Sequence, residues 1–163
     1  MMGRGTGPDS IFSSGDSLAE GTGQLPFWHS LDLEARLAWA LRPEIPDIYR
    51  AGLLTEQWVQ TRCYFARRQD LRPAEVAVLA RDPDYVIRLC IAKRPDLLEQ
   101  QLEAFCQDRD PNVRYAVARN PLLGNAQRAV LCDDTDGVVR QAARRGPRSP
   151  QTRVRPGQAE LYR

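Results

Sequence analysis

The chain has 163 residues, 42% hydrophobic and 27% charged, a balance that excludes a disordered polymer and suits one domain with a real core. Its formal net charge is only +2, low for a protein that holds nucleic acid by overall charge. No apolar run is long enough to span a bilayer and the N-terminus has no signal-peptide core, so a cytoplasmic protein without a membrane partner is expected.

In chain order, residues 1–26 come first, rich in Gly and Ser, and read as a flexible N-terminal segment. From there to residue 147 the chain repeats itself. Residues 32–43 (DLEARLAWALRP), 58–69 (WVQTRCYFARRQ), 84–95 (DYVIRLCIAKRP), 110–121 (DPNVRYAVARNP) and 136–147 (DGVVRQAARRGP) align at a constant spacing of 26. Arg36, Arg62, Arg88, Arg114 and Arg140 form one column, and Ala40, Ala66, Ala92 and Ala118 another, broken by Arg144. Pro43, Pro95, Pro121 and Pro147 form a third, with Gln69 the exception. Between these segments Leu53, Leu79, Phe105 and Leu131 are equivalent, as are Glu56, Asp82, Asp108 and Asp134. Such agreement in one register marks a structural repeat.

Each unit reads as two short helices. The first, as over 97–106 or 123–132, carries apolar residues on one face, at 98, 102 and 105 in the first case. The second begins near an acidic turn, where Pro111 or Gly137 suits the first helical position, and it stops before proline. Helices this short are marginal alone and must stack to bury their apolar faces. The expected fold class is therefore all-α, a short right-handed α-solenoid of about five 26-residue two-helix repeats over residues 27–147. Residues 148–163 (RSPQTRVRPGQAELYR) follow as a basic C-terminal tail with no helical period, expected to order on a partner or a neighbouring copy.

The run Val113-Arg114, Ala118-Arg119-Asn120-Pro121, Leu131, Asp134 and Val139-Arg140 resembles the variant leucine-rich repeat, a short relative of the HEAT-like α-solenoids. The resemblance covers roughly residues 30–147 and implies a repeat architecture rather than a particular activity. A member of that family carries an iron–sulfur cluster on an N-terminal cysteine group. Here no cysteine precedes Cys63, and that property is not carried over.

The candidate site residues fall in two sets. Arg36, Arg62, Arg88, Arg114 and Arg140, with Asp84, Asp110 and Asp136, are expected to form a structural ladder, the aspartates capping helix starts and the arginines pairing within or between repeats. Arg67, Lys93, Arg119 and Arg145, flanked by Arg68 and Arg94, are expected to be the partner-binding face. They are basic in every copy from the second onward, and no acidic column lies one turn away to neutralise them.

For chemistry the residues offer little. His29 is the only histidine, and no nucleophile–base set or phosphate-binding glycine motif opens a helix after a strand. HEAT-like repeats occur in DNA alkyl-base glycosylases, which arrange Trp, Asp and Arg around a flipped base. Trp39 and Trp58, however, occupy repeat positions filled elsewhere by Ile91 and Val117 or by Asp84 and Asp110, so packing and end-capping are expected of them. Cys63, Cys90, Cys106 and Cys132 contain no CxxC pair and read as small buried thiols rather than metal ligands. No cofactor or metal is expected. The reading that follows is a non-catalytic protein–protein adaptor or scaffold that binds an acidic partner surface through one solenoid face. The alternative is a nucleic-acid-binding repeat protein using the Arg-rich face and tail.

Overall fold

The computed structural model describes residues 26–163; the expectation for the segment before them lies outside the described residues. The protein is predominantly helical. After a short 3₁₀ turn at Trp28–Ser30 come α1 (Leu33–Leu41), α2 (Asp47–Leu54), α3 (Val59–Ala66), α4 (Pro73–Leu79) and α5 (Tyr85–Ala92). Then follow α6 (Glu99–Cys106), α7 (Pro111–Ala118), α8 (Asn125–Cys132) and α9 (Gly137–Arg145). Two short strands, β1 (Thr152–Arg153) and β2 (Leu161–Tyr162), pair antiparallel in the tail. No helix among the described residues is long and apolar enough to cross a membrane.

The residue columns explain where the helices begin and end. Asp32, Asp84, Asp110 and Asp136 each stand at the N-cap of an odd-numbered helix, where the side chain accepts from a free backbone N–H. In α3 that position is Trp58, which offers no side-chain cap. The even-numbered helices α4, α6 and α8 use a different device, whereas α2 starts after Pro46 with no side-chain cap. Glu75, Gln101 and Gln127, again 26 apart, reach back to the backbone N–H of Arg72, Leu98 and Gly124. Two of these helices therefore begin at Glu99 and Asn125, two residues later than the apolar spacing predicts. Leu98 is an exposed N-cap rather than a core residue, and Leu97 and Leu123 are buried in its place.

Each odd-numbered helix packs on the next, α1 on α3, α3 on α5, α5 on α7 and α7 on α9, and each even-numbered helix contacts the odd-numbered helix that follows it. The core runs the length of this stack. Ala40, Ala66, Ala92 and Ala118 have no exposed surface at all, because a methyl group is what lets neighbouring helices approach closely. Leu53, Leu79, Phe105 and Leu131 are buried from the other layer. So is a column at Ile45, Leu71, Leu97 and Leu123.

One core position is mismatched. Thr61, Ile87, Val113 and Val139 are equivalent and buried, yet the Thr61 hydroxyl has no hydrogen-bond partner among the described residues. An unpaired buried hydroxyl costs roughly 1–3 kcal/mol. Thr61→Val, nearly isosteric, is expected to stabilise the fold by about 1 kcal/mol in denaturant titration. A loss of stability would show that the hydroxyl is satisfied after all.

Candidate functional site: a basic edge roofed by the C-terminal tail

The first arginine column is tied into the fold. Arg88 grips Asp108 through Nε and Nη2 at 2.7 and 2.9 Å, and Arg114 grips Asp134 in the same way at 2.7 and 3.0 Å. Arg62 forks onto Asp82, and Arg36 reaches Glu56 more loosely at 3.3 Å. In every case the acid lies twenty residues further along, in the next unit. Each guanidinium also donates backwards, Arg88 to the carbonyl of Asp82 and Arg114 to that of Asp108. One side chain thus clips the start of its own helix to the following turn. The Arg114 fork holds the Asp134 carboxyl below its ordinary range. At Asp108 burial acts upward, but hydrogen bonds from Arg88 and from the Asp110 amide outweigh it, again lowering the group. Among the described residues Arg140 makes only the backward bonds, to the carbonyls of Asp134 and Thr135.

Arg68 and Arg94, expected on the partner-binding face, are fully buried. The structure corrects that assignment. Arg68 forks onto Asp70 at 2.7 Å and donates to the carbonyls of Ala40, Arg42 and Pro43. Arg94 forks onto Asp96 and donates to the carbonyls of Arg68 and Gln69. Asn120, the next member of the column, uses its amide for the carbonyls of Ala92 and Arg94, each at 2.8 Å. These side chains satisfy the carbonyl groups that the preceding odd-numbered helix leaves unpaired at its C-terminal end. Arg-x-Asp at 68–70 and 94–96 was the available signal, since the aspartate two residues on holds the guanidinium in its inward pose.

The second basic column sits at the C-terminal ends of the odd-numbered helices: Arg67, Lys93 and Arg119 are C-caps, and Arg145 closes α9. A helix end with its exposed carbonyls favours cations, which is a reason for the charges that owes nothing to a partner. The tail adds another. After α9 the chain turns back along these helix ends and pairs with them. Arg148 donates its N–H to the carbonyl of Arg119, Tyr162 to that of Arg67, and Ala159 to that of Leu41. Arg67 Nε returns a bond to the Tyr162 carbonyl at 2.7 Å, and Arg119 holds the Gly146 carbonyl at 2.6 Å. Gln69, the exception in the proline column, gives its N–H to Glu160 and its side-chain amide to Thr152. A proline there would have no N–H to give. Ala159 and Leu161 are buried against the helices. The tail, expected to order on a partner, thus orders on its own chain.

Between tail and helices lies an open pocket of about 620 Å³. Lys93, Arg119, Arg145, Arg148 and Arg163 line it with Tyr115 and Asn120, and among the described residues no Asp or Glu contributes to its wall. Lys93 and Arg145 make no ion pair among the described residues. Sequence reasoning found three of its five cations; Arg148 and Arg163 came into view only through the path of the tail. Of the two tryptophans singled out, Trp39 packs edge-on against Tyr49 with centroids 4.7 Å apart, and Trp58 is exposed at the start of α3. His29 is exposed in the 3₁₀ turn. Comparisons with family models, with curated proteins and with solved structures return no match for this chain.

Proposed function

We propose that the chain is a short right-handed α-solenoid of the variant leucine-rich, HEAT-like kind, and that it serves as a non-catalytic adaptor for an acidic protein segment. The supporting observation is the pocket wall: five basic side chains and, among the described residues, no Asp or Glu side chain around about 620 Å³. Bringing cations together without counter-charge costs electrostatic energy, and an anion entering the pocket relieves it. A space of that size is in the range of clefts that seat small ligands, room enough for acidic side chains of an extended peptide. Nucleic acid is the less favoured occupant. A phosphate backbone calls for a continuous track of cations, and here Arg67 is engaged by the tail while Arg68 and Arg94 are buried.

Lys93→Glu with Arg145→Glu is the informative variant, because Arg119 also holds the Gly146 carbonyl. With a labelled glutamate-rich peptide as probe, the double reversal is expected to weaken binding by about tenfold or more. Its melting temperature is expected to stay close to that of the unmodified chain, since exposed charges contribute only about 0–1 kcal/mol. Unchanged peptide affinity would remove the pocket from consideration. Preferential binding of a single-stranded oligonucleotide with a steep salt dependence would favour the nucleic-acid reading instead.

A further inference from the structure

The cysteines read as four separate buried thiols in the sequence, but two of them meet in the structure. Cys63 on α3 and Cys90 on α5 place their sulfurs 3.4 Å apart. They are not equivalent residues: the column of Cys63 continues through Leu89 and Tyr115, and Cys90 stands one position on. Side-by-side packing of α3 on α5 brings a residue of one helix opposite the next-but-equivalent residue of its neighbour. Cys63 is partly exposed and Cys90 is buried, so the Cys63 sulfur is the more accessible of the two.

We propose that Cys63 and Cys90 form a redox-active dithiol, with Cys63 the attacking thiol and Cys90 the resolving one, oxidised to an intramolecular disulfide by peroxide. In the first step the Cys63 thiolate attacks a peroxide oxygen. The O–O bond breaks, hydroxide leaves and takes a proton to become water, and Cys63 becomes a sulfenic acid. In the second step the Cys90 sulfur attacks that of Cys63, the S–O bond breaks, and the sulfenic oxygen departs as a second water carrying the Cys90 proton. Peroxide gains two electrons and the dithiol loses two. Bond formation draws the sulfurs from 3.4 Å to about 2.0 Å, a shift that calls for rotation about the two Cα–Cβ bonds, which swing the sulfurs.

The surroundings suit those roles. The hydrogen bond from Cys90 lowers the Cys63 thiol to about 7, with Arg67 and Lys93 adding to it and burial and Asp84 opposing. Its neighbour Cys90 is raised, by the bond to Cys63 and by burial. Thiolate character and access are what make a cysteine reactive. Cys106 and Cys132 provide the internal control, being 26 apart in sequence but without a sulfur contact. Burial pushes Cys106 up to about 11.

The test uses the whole reduced chain, native, with equimolar hydrogen peroxide, followed by peptide mass mapping. A Cys63–Cys90 cross-linked peptide, reversed by dithiothreitol, is expected to appear about tenfold or more faster than any oxidation of Cys106 or Cys132. In the Cys90→Ser variant, Cys63 is expected to stop at the sulfenic acid and be trapped by dimedone. Four thiols oxidising at similar rates, or a Cys63–Cys90 pair that stays reduced while the others react, would overturn the proposal. So would dimedone trapping in Cys90→Ser at residues other than Cys63. None of these outcomes depends on what the basic pocket binds.

Discussion

Replacing Arg94 with alanine is expected to cost about 3 kcal/mol of stability, although a surface arginine usually costs almost nothing. Its guanidinium has no exposed surface and ends four separate needs at once: both oxygens of Asp96 and the carbonyls of Arg68 and Gln69. The Asp96 side chain is 49% exposed and recovers water when its partner goes. The carbonyls do not, and each orphaned group costs roughly 1–3 kcal/mol, with a void left where the stem was packed. A fall in melting temperature of about 10 °C follows for a chain of this size. Arg94→Lys recovers only part of this, because a point charge cannot serve a carboxylate and two carbonyls in different directions. Arg145→Ala, exposed and without an ion-pair partner, is the matched control and is expected to change stability by less than about 0.5 kcal/mol. Equal melting of the two variants would show that burial of Arg94 is not a clamp.

Gly52→Ala is expected to destabilise by about 2–4 kcal/mol, against the direction that helix propensity gives. In α2 an alanine is intrinsically better than glycine by about 1 kcal/mol. Here, though, a β-carbon on residue 52 would lie 2.5 Å from Cδ2 of the Trp28 ring, and neither the helix backbone nor a buried indole can yield that much. The ring must leave. It then gives up its packing on Tyr49 and its 3.0 Å hydrogen bond to Glu56. Glu56 also receives Arg36, so the first rung of the ladder loosens with it. An indole carries some 150–250 Å² of burial, which sets the scale of the loss. In a background with Trp39 and Trp58 replaced by phenylalanine, Trp28 emission should move to the red. An alanine variant that melts higher, with Trp28 emission unmoved, would mean that the indole is not seated on residue 52.

What could be read from the sequence was whatever repeats as residue type. The 26-residue spacing carried the aspartate caps, the alanine contacts and the arginine column, because each depends on a side chain standing at one place in every unit. It located the second helix of each unit from Asp110 at the start to Pro121 beyond the end. Interactions that end on backbone atoms left no such trace. Arg68 and Arg94 looked like neighbours of an exposed column, since the carbonyls they serve belong to any residue. The choice of acid for each guanidinium, twenty residues on, required knowing how one helix lies on the next. The Cys63–Cys90 contact falls one position off the repeat and was invisible to column reasoning for that reason. Gln69 stood out as a broken column, and its cause, an N–H needed by Glu160, lay ninety-one residues away.

That distance has a consequence in time. The helices pack on near neighbours in sequence and can assemble as they emerge from the ribosome. The bond between Arg67 and Tyr162 spans 95 residues, so the helix ends it closes must wait until residue 162 has been made. At about 5–20 residues per second that wait is on the order of 5–20 s. Until then the carbonyls of Leu41 and Arg67 lack their tail partners, and any packing of α1 on α3 has to form with the basic edge unroofed.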